Sequence, residues 1–353
     1  MAAYEGGRRS EDIVFYLTYL LTYMYKLDEA EKFAALLKEM EEENPDSERL
    51  DSYNRLGYLA EKRKQYDLAL EYNDKVIENA KAANKDPFKY YRHKLILLRK
   101  KGDMKEAVKL IDLMRKINKD YNPDYDLRDV YMQSGEFDKA QKLVTKHIRE
   151  DYSMYMQIRL DVLKRDLKKA RAHYAQFRTK TNEANRINMA RVLYLAEGDY
   201  EKLVDEELKA LETASATNED ITQALIYVGE AYAHLGDRKN KIIYGKQALE
   251  EYEKEFTKYS SDLAINVLKK ARACALVEDY EQCKKLIDEA ENYTCSFCVS
   301  GKCKDADIFR VFMLADMGRY DEARALAEKG MKEFPDEEDF MSLLTWIERK
   351  EKE

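Results

Sequence analysis

The sequence predicts an all-α protein, a right-handed α-solenoid of about nine antiparallel helix hairpins closed by a C-terminal capping helix. Three observations predict it. Only 4 prolines and 12 glycines interrupt 353 residues, so helix breakers are too scarce for long irregular stretches. Charged residues of both signs make up 37 % of the chain, as solvated helix faces require. A turn motif also returns at spacings of 30 to 42 residues, the signature of stacked repeats.

Residues 1–10 read as a lead-in and 11–335 as the solenoid. Each repeat is placed by a small residue near the start of its second helix: Ala30, Ala69, Ala107, Ala140, Ala170, Leu203, Lys241, Cys283 and Ala323. The stretches "KRKQYDLAL" (62–70), "RKKGDMKEAV" (99–108), "MQSGEFDKAQ" (132–141), "LAEGDYEKLV" (195–204), "LVEDYEQCKK" (276–285) and "LADMGRYDEARA" (314–325) share one grammar. A helix ends, a tight turn often carries Gly, an acidic N-cap region follows, then an aromatic or apolar residue and the small one three on. Leu203 and Lys241 are the poor matches, placed by the turns before them. Pro45, Pro87, Pro123 and Pro335 lie in or beside inter-repeat loops, where a missing N–H costs little. In the seventh repeat (222–255), Gly229 predicts close helix approach, Gly236 a left-handed turn and Ala248 room for the next repeat. Lys241 leaves the packing of that hairpin open. Residues 336–353 read as a polar-faced helix capping the last apolar face. The first repeat has no such cap, which opens a route to self-association through it.

The pattern resembles the tetratricopeptide repeat, a two-helix unit of about 34 residues. Gly229, Tyr232, Gly236 and Ala248 stand where that family's motif places Gly, Tyr, Gly and Ala. The resemblance implies a non-catalytic scaffold whose concave face, lined by the first helix of each repeat, holds a peptide or protein segment. The register puts Tyr19, Tyr23, Asn54, Tyr58, Arg92, Arg99, Tyr125, Tyr155, Arg159, Asn188, Tyr227 and Arg272 on that face, with Phe15, Tyr16, His93, Asp129, Glu230 and Lys269 beside them. Tyr supplies rigid apolar area with a hydroxyl, Arg a fork for carboxylates, and Asn a matched donor and acceptor for a peptide backbone. Many of the 27 tyrosines also serve ordinary packing, so residue type alone does not settle each role. The Lys and Asn array with which some members hold C-terminal carboxylates is interrupted by Tyr58 and Tyr125. The chain is more weakly similar to the cytoplasmic peptide-pheromone receptors of Gram-positive bacteria, where concave Asn residues hold the peptide. That resemblance implies a bacterial source, roles for Asn54 and Asn188, and an alternative function as a peptide-sensing regulator that changes superhelical shape. No helix-turn-helix domain precedes the solenoid, against direct control of DNA.

Composition and motifs exclude other classes. A net charge of −7 argues against nucleic acid as a partner. The apolar run near the N-terminus is interrupted by Tyr and Thr and too short to span a bilayer, so no membrane role is expected and the location reads as cytoplasmic. Phosphate-binding, hydrolase and metalloprotease motifs are absent from the sequence, and His93, His147, His173 and His234 are dispersed, so no enzyme and no catalytic residue is expected.

Cysteine usage fits a reducing compartment: five in all, three of them in the inter-repeat loop 294–304. Cys295, Cys298 and Cys303 form C-x2-C-x4-C, which suits three ligands of a structural zinc, with Asp305, Asp307, Asp262 or water as the fourth. Reduced thiols and a disulfide are the alternatives. Cys295 follows a helix C-terminus, whose partial negative charge disfavours a reactive thiolate. Cys274 and Cys283 are expected to be buried in the neighbouring hairpin.

Overall fold

The computed structural model describes residues 10–43, 51–144, 146, 150–217, 220–255, 263–293 and 302–352. Among these the fold is all-α, nine helix hairpins and one final helix. In chain order the pairs are α1 Glu11–Tyr23 with α2 Leu27–Glu43, α3 Asp51–Lys62 with α4 Tyr66–Ala82, and α5 Phe88–Lys101 with α6 Met104–Ile117. Next come α7 Asp124–Gln133 with α8 Phe137–Val144, α9 Glu150–Leu163 with α10 Leu167–Phe177, and α11 Glu183–Glu197 with α12 Tyr200–Thr217. The last are α13 Ile221–Leu235 with α14 Arg238–Glu255, α15 Leu263–Leu276 with α16 Tyr280–Ala290, α17 Lys304–Asp316 with α18 Tyr320–Glu333, and α19 Asp339–Lys350. The hairpins form two compact units, α1–α6 in unit 1 and α7–α19 in unit 2.

Each hairpin turns on one residue with positive φ. Five are glycines, at 102, 135, 198, 236 and 318; the others are Tyr25, Lys64, Arg165 and Glu278. At Gly236 (φ 89°) the backbone closes twice, Gly236 N–H donating to Ala233 and Asp237 N–H to Tyr232, which satisfies carbonyls orphaned by the end of α13. In five turns the next residue is Asp, and in four of them Asp103, Asp166, Asp237 and Asp279 accept from the backbone N–H three residues on, capping the second helix. The sequence grammar is thus a left-handed C-cap joined to an N-cap.

The small residues of the register are buried. Ala30 packs with Leu21 and Leu59, Ala69 with Ala60 and Leu97, and Ala140 with Met132 and Leu160. Each sits between its own first helix and that of the next repeat, so a larger side chain would push both neighbours away. Cys274 and Cys283 are buried as expected, and burial pushes their thiols up to about 11 and about 12.

Lys241 resolves differently from its Ala neighbours in the register. It is buried, and its ammonium leaves the small-residue seam to meet Asp316 at 2.9 Å on α17 and Glu278 at 3.1 Å at the α15–α16 turn. Tyr280 Oη donates to the same Asp316 at 2.8 Å.

The final helix departs from a polar-faced cap. Phe340, Met341, Ser342, Leu343, Leu344, Trp346 and Ile347 are all buried. It packs on α18 and α17, as a cap would, and also on α11 of a much earlier hairpin. The reason is visible in "DFMSLLTWIERK": apolar residues at 340, 341, 343, 344, 346 and 347 cover an arc too wide for one stripe, so a single neighbour cannot bury them. Gly330 admits the helix, since a Cβ there would stand 2.3 Å from the Phe340 ring.

Candidate functional site

In unit 2 the first helices of successive hairpins present their polar residues to the tail, Phe334–Lys350, of the same chain. Arg159 on α9 forks Glu338, Nε to Oε1 at 2.8 Å and an Nη to Oε2 at 2.6 Å, and also donates to the Asp336 carbonyl at 3.0 Å. Lys304, opening α17, pairs with Glu337. Further along, Trp346 stacks on Phe312 of α17 (5.3 Å between centroids) and meets His234 of α13 edge-on at 4.6 Å. His234 in turn stacks on Tyr200, over which Arg349 also lies. The tail therefore crosses from α9 and α11 to α13 and α17, an acidic first turn on cations and an aromatic anchor among rings.

Between tail and helices lies a cavity of about 270 Å³. Tyr155, Asn188, Tyr227 and Arg272 of the sequence-predicted face line it together with Glu337, Glu338 and Asp339. Arg272 forks Glu230 at 2.7 and 2.5 Å and lies over the rings of Tyr227 and Phe309. Arg191 forks Glu207 at 2.6 and 2.7 Å and extends the stack, 3.5 Å from the Tyr227 centroid. Asn188 is exposed and accepts from Arg191 at 3.3 Å. Tyr125 is exposed on α7, with Arg128 over its ring.

Electrostatics at the tail are unbalanced. Three consecutive carboxyls, Glu337, Glu338 and Asp339, face Arg159 and Lys304, with Arg272, itself paired to Glu230, also acting on Asp339. Burial and mutual repulsion push Glu337 and Asp339 above the usual carboxylate range. His234 is held down to about 3 by burial, with Lys350 adding to the effect, so its ring is neutral.

In unit 1 several large first-helix side chains are exposed. Helix α1 carries Phe15, Tyr19 and Tyr23 on one stripe and Tyr16 and Leu20 on the next, with Met24 following as its C-cap. Tyr16, Leu20 and Tyr19 are 61 %, 51 % and 40 % exposed, far from what large apolar side chains adopt in a packed core. The guanidinium of Arg55 on α3 lies 4.0 Å from the Phe15 centroid and 5.2 Å from that of Tyr19. Tyr58, raised by burial and then by Glu61, is within electrostatic reach of Tyr19, Arg55 and Lys100, so α1, α3 and α5 bring these groups to one face. Asn54 is half-buried on α3, Arg99 half-buried and Arg92 exposed on α5. Glu61 anchors the face from below: Lys100 donates to it at 2.7 Å, and His93 stands 3.2 Å from it and 3.2 Å from Asn73.

Sequence reasoning missed Arg55, Arg191 and Trp346, and read His234 as a dispersed polar residue where it is buried. Arg191 follows Asn188 by three on α11 and Arg55 follows Asn54, so a register taking one residue per turn picked the neighbour in each case. Of the cysteine cluster, Cys295 and Cys298 lie outside the described residues. Cys303 is buried at the start of α17. Among the described residues no group of three His, Cys, Asp or Glu could hold a metal ion, and no helix is long and apolar enough to cross a membrane.

No protein-family model matches the sequence, and no curated protein matches it. Solved structures similar to it include a tetratricopeptide repeat protein from Parabacteroides merdae, at 12 % identity and TM-score 0.40, over 74 % of this chain and 98 % of that one. A signal transduction ATPase with numerous domains from Pyrococcus horikoshii, with a tetratricopeptide repeat sensor, is similar at 16 % identity and TM-score 0.37, over 80 % of this chain and 50 % of that one. A structure of Naa15/Naa10 bound to HypK-THB is similar at 12 % identity and TM-score 0.32, over 94 % of this chain and 59 % of that one.

Proposed function

We infer that the chain is a non-catalytic protein-interaction scaffold and that the aromatic face of unit 1 holds an extended peptide or protein segment. One observation carries this reading: Tyr16, Tyr19 and Leu20 stand exposed on a single helix beside the Arg55 guanidinium and the half-buried Tyr58. A cluster of large apolar side chains rimmed by polar groups marks an interaction surface in a folded protein. The arginines of the unit 2 face, by contrast, are already committed to carboxylates of their own chain.

The test is selection from a displayed random peptide library on the full chain, repeated with Tyr19→Ala and Tyr58→Ala. Peptides enriched on the native chain should lose roughly ten-fold or more in recovery on either variant, the loss typical of an aromatic anchor. Equal recovery on all three proteins would remove the face from consideration. The tail favours a second reading, a peptide-sensing regulator. A signal peptide that competes with the tail should then change the compactness seen by small-angle scattering, and an unchanged profile under saturating peptide would leave the passive scaffold.

A further inference from the structure

We propose that the tail, Phe334–Lys350, is a displaceable self-ligand of unit 2, and that the face it covers takes a partner helix of the same chemistry: a carboxylate-rich first turn followed by an amphipathic helix with a bulky aromatic anchor.

The recognition is of the helix-in-groove kind. The acidic turn is read by Arg159 and Lys304, and the anchor Trp346 enters a pocket of rings formed by Tyr200, His234 and Phe312. These receptor residues come from four helices spread over five hairpins. A short connection from α18 joins the tail to them. Successive helices from α7 through α18 pack directly on one another, so the departure of α19 leaves that succession continuous, although it withdraws Met341 from the core shared by α9, α10 and α11.

The fit is incomplete. A cavity of about 270 Å³ remains beneath it, large enough to hold several waters. Trp346 Nε1 and His234 Nδ1 are buried with no hydrogen-bond partner, although Trp346 is 1 % and His234 7 % exposed. Native interiors leave few such groups, and each lost partner weakens the packing that holds it. Asp339 adds a third carboxyl beside the two pairs, with only Arg272, already committed to Glu230, and Lys304, already committed to Glu337, to offset it among the described residues. A competing helix that fills the cavity and offers His234 a donor or acceptor, while keeping the two charge pairs, therefore binds this face better than the tail does.

The probe is a dye-labelled synthetic peptide of residues 334–353, added to the full chain and to Glu338→Arg, which sets a cation against Arg159. Trp346 is the chain's single tryptophan, so its emission reports whether the tail is docked. Glu338→Arg should expose Trp346 with the helical signal retained. It should bind the peptide at least about ten-fold tighter than the native chain does, as expected when one member of a buried charge pair is reversed. Adding Arg159→Glu restores the pair with its charges exchanged, so Trp346 should be buried again and peptide binding should fall back to the native level. Native-state hydrogen exchange of the unaltered protein is the check that needs no variant: amides of α19 should exchange through an opening that leaves α11–α17 protected. Equal protection of α19 and α11–α17, or a Glu338→Arg chain that loses its helices together with the docked tryptophan, or one that exposes Trp346 yet ignores the peptide, overturns the proposal. Unit 1 is not involved in these measurements, so their failure leaves its aromatic face as it stands.

Discussion

Lys241 offers the sharpest test of how the repeat register is enforced. Its ammonium, 4 % exposed as a residue, faces Asp316 at 2.9 Å and Glu278 at 3.1 Å. At an effective dielectric of about 20 the nearer pair gains about 6 kcal/mol of Coulomb attraction. Desolvation of both ions returns most of that, so the pair adds little net stability, but removing one partner strands the other. In Lys241→Met, Asp316 keeps only the Tyr280 hydroxyl among the described residues, while Glu278 keeps Arg238 at 2.5 Å. The stranded carboxylate should cost about 3–5 kcal/mol. For a unit of this size that is roughly 6–20 °C in Tm, at about 2–4 °C per kcal/mol. Lys241→Met with Asp316→Asn should recover about 2 kcal/mol or more, because the amide oxygen still accepts from Tyr280 and no charge is buried alone. Thermal unfolding followed together by helical ellipticity and Trp346 emission measures both. A single variant within about 1 kcal/mol of the native chain, or a double variant no better than the single, would refute this account of the pair.

Four further outcomes are expected. Burial would raise Glu61, but the hydrogen bond with His93 and the charge of Lys100 more than reverse this and hold it at about 2. A depressed carboxylate contributes stability above its unfolded value near 4.5 that is lost as pH falls through about 2, so unit 1 should exceed Glu61→Gln by about 3 kcal/mol at neutral pH and by nothing near pH 2, in urea titrations compared at each pH. Gly330→Ala should cost about 1–3 kcal/mol and red-shift Trp346, because the added methyl collides with the fully buried Phe340 ring; an unshifted emission maximum would contradict that. If the exposed stripe of Tyr16, Leu20 and Met24 joins two copies of the chain, the sedimentation coefficient rises with concentration and Leu20→Glu abolishes the rise. For Cys295, Cys298 and Cys303, elemental analysis of untagged protein should find near one zinc per chain, and less than about 0.2 would reject a tightly held ion.

The hairpins were legible because their determinants are local. A left-handed turn, an Asp after it and a small residue a few positions on are all set within about ten residues, and the register held even where Tyr25, Lys64, Arg165 or Glu278 replaced glycine in the turn. Lys241 looked like a defect because its partners belong to the following hairpins, Glu278 at the turn of the eighth and Asp316 at the end of α17 in the ninth. Local rules describe the volume a seam can hold and are silent on a long side chain that leaves it. The tail failed for the same reason on a larger scale. Its wide apolar arc was written in the sequence, but nothing local tells which earlier helix will meet it, and α11 enters the chain more than a hundred residues before. On the faces, the register chose residue types suited to a ligand and could not tell which of them a segment of the chain itself would occupy.

That distinction changes what the arginines mean. Read alone, Arg159 is a fork waiting for a carboxylate, and Arg191 and Arg272 are two more. In the folded chain each has one, Glu338, Glu207 and Glu230. The pairs differ in kind, however. Glu207 and Glu230 sit on α12 and α13, members of the stack, and their arginines sandwich Tyr227 into a fixed wall. Glu338 rides on the tail. Breaking Arg191–Glu207 or Arg272–Glu230 strips the wall itself, whereas breaking Arg159–Glu338 uncovers it. Arg191→Met should therefore lower the stability of unit 2 without freeing a peptide-accepting face, and Glu338→Arg should free the face at less cost to the stack. A peptide that bound Arg191→Met as well as Glu338→Arg would show that the two pairs do the same job, and the division between wall and ligand would fall.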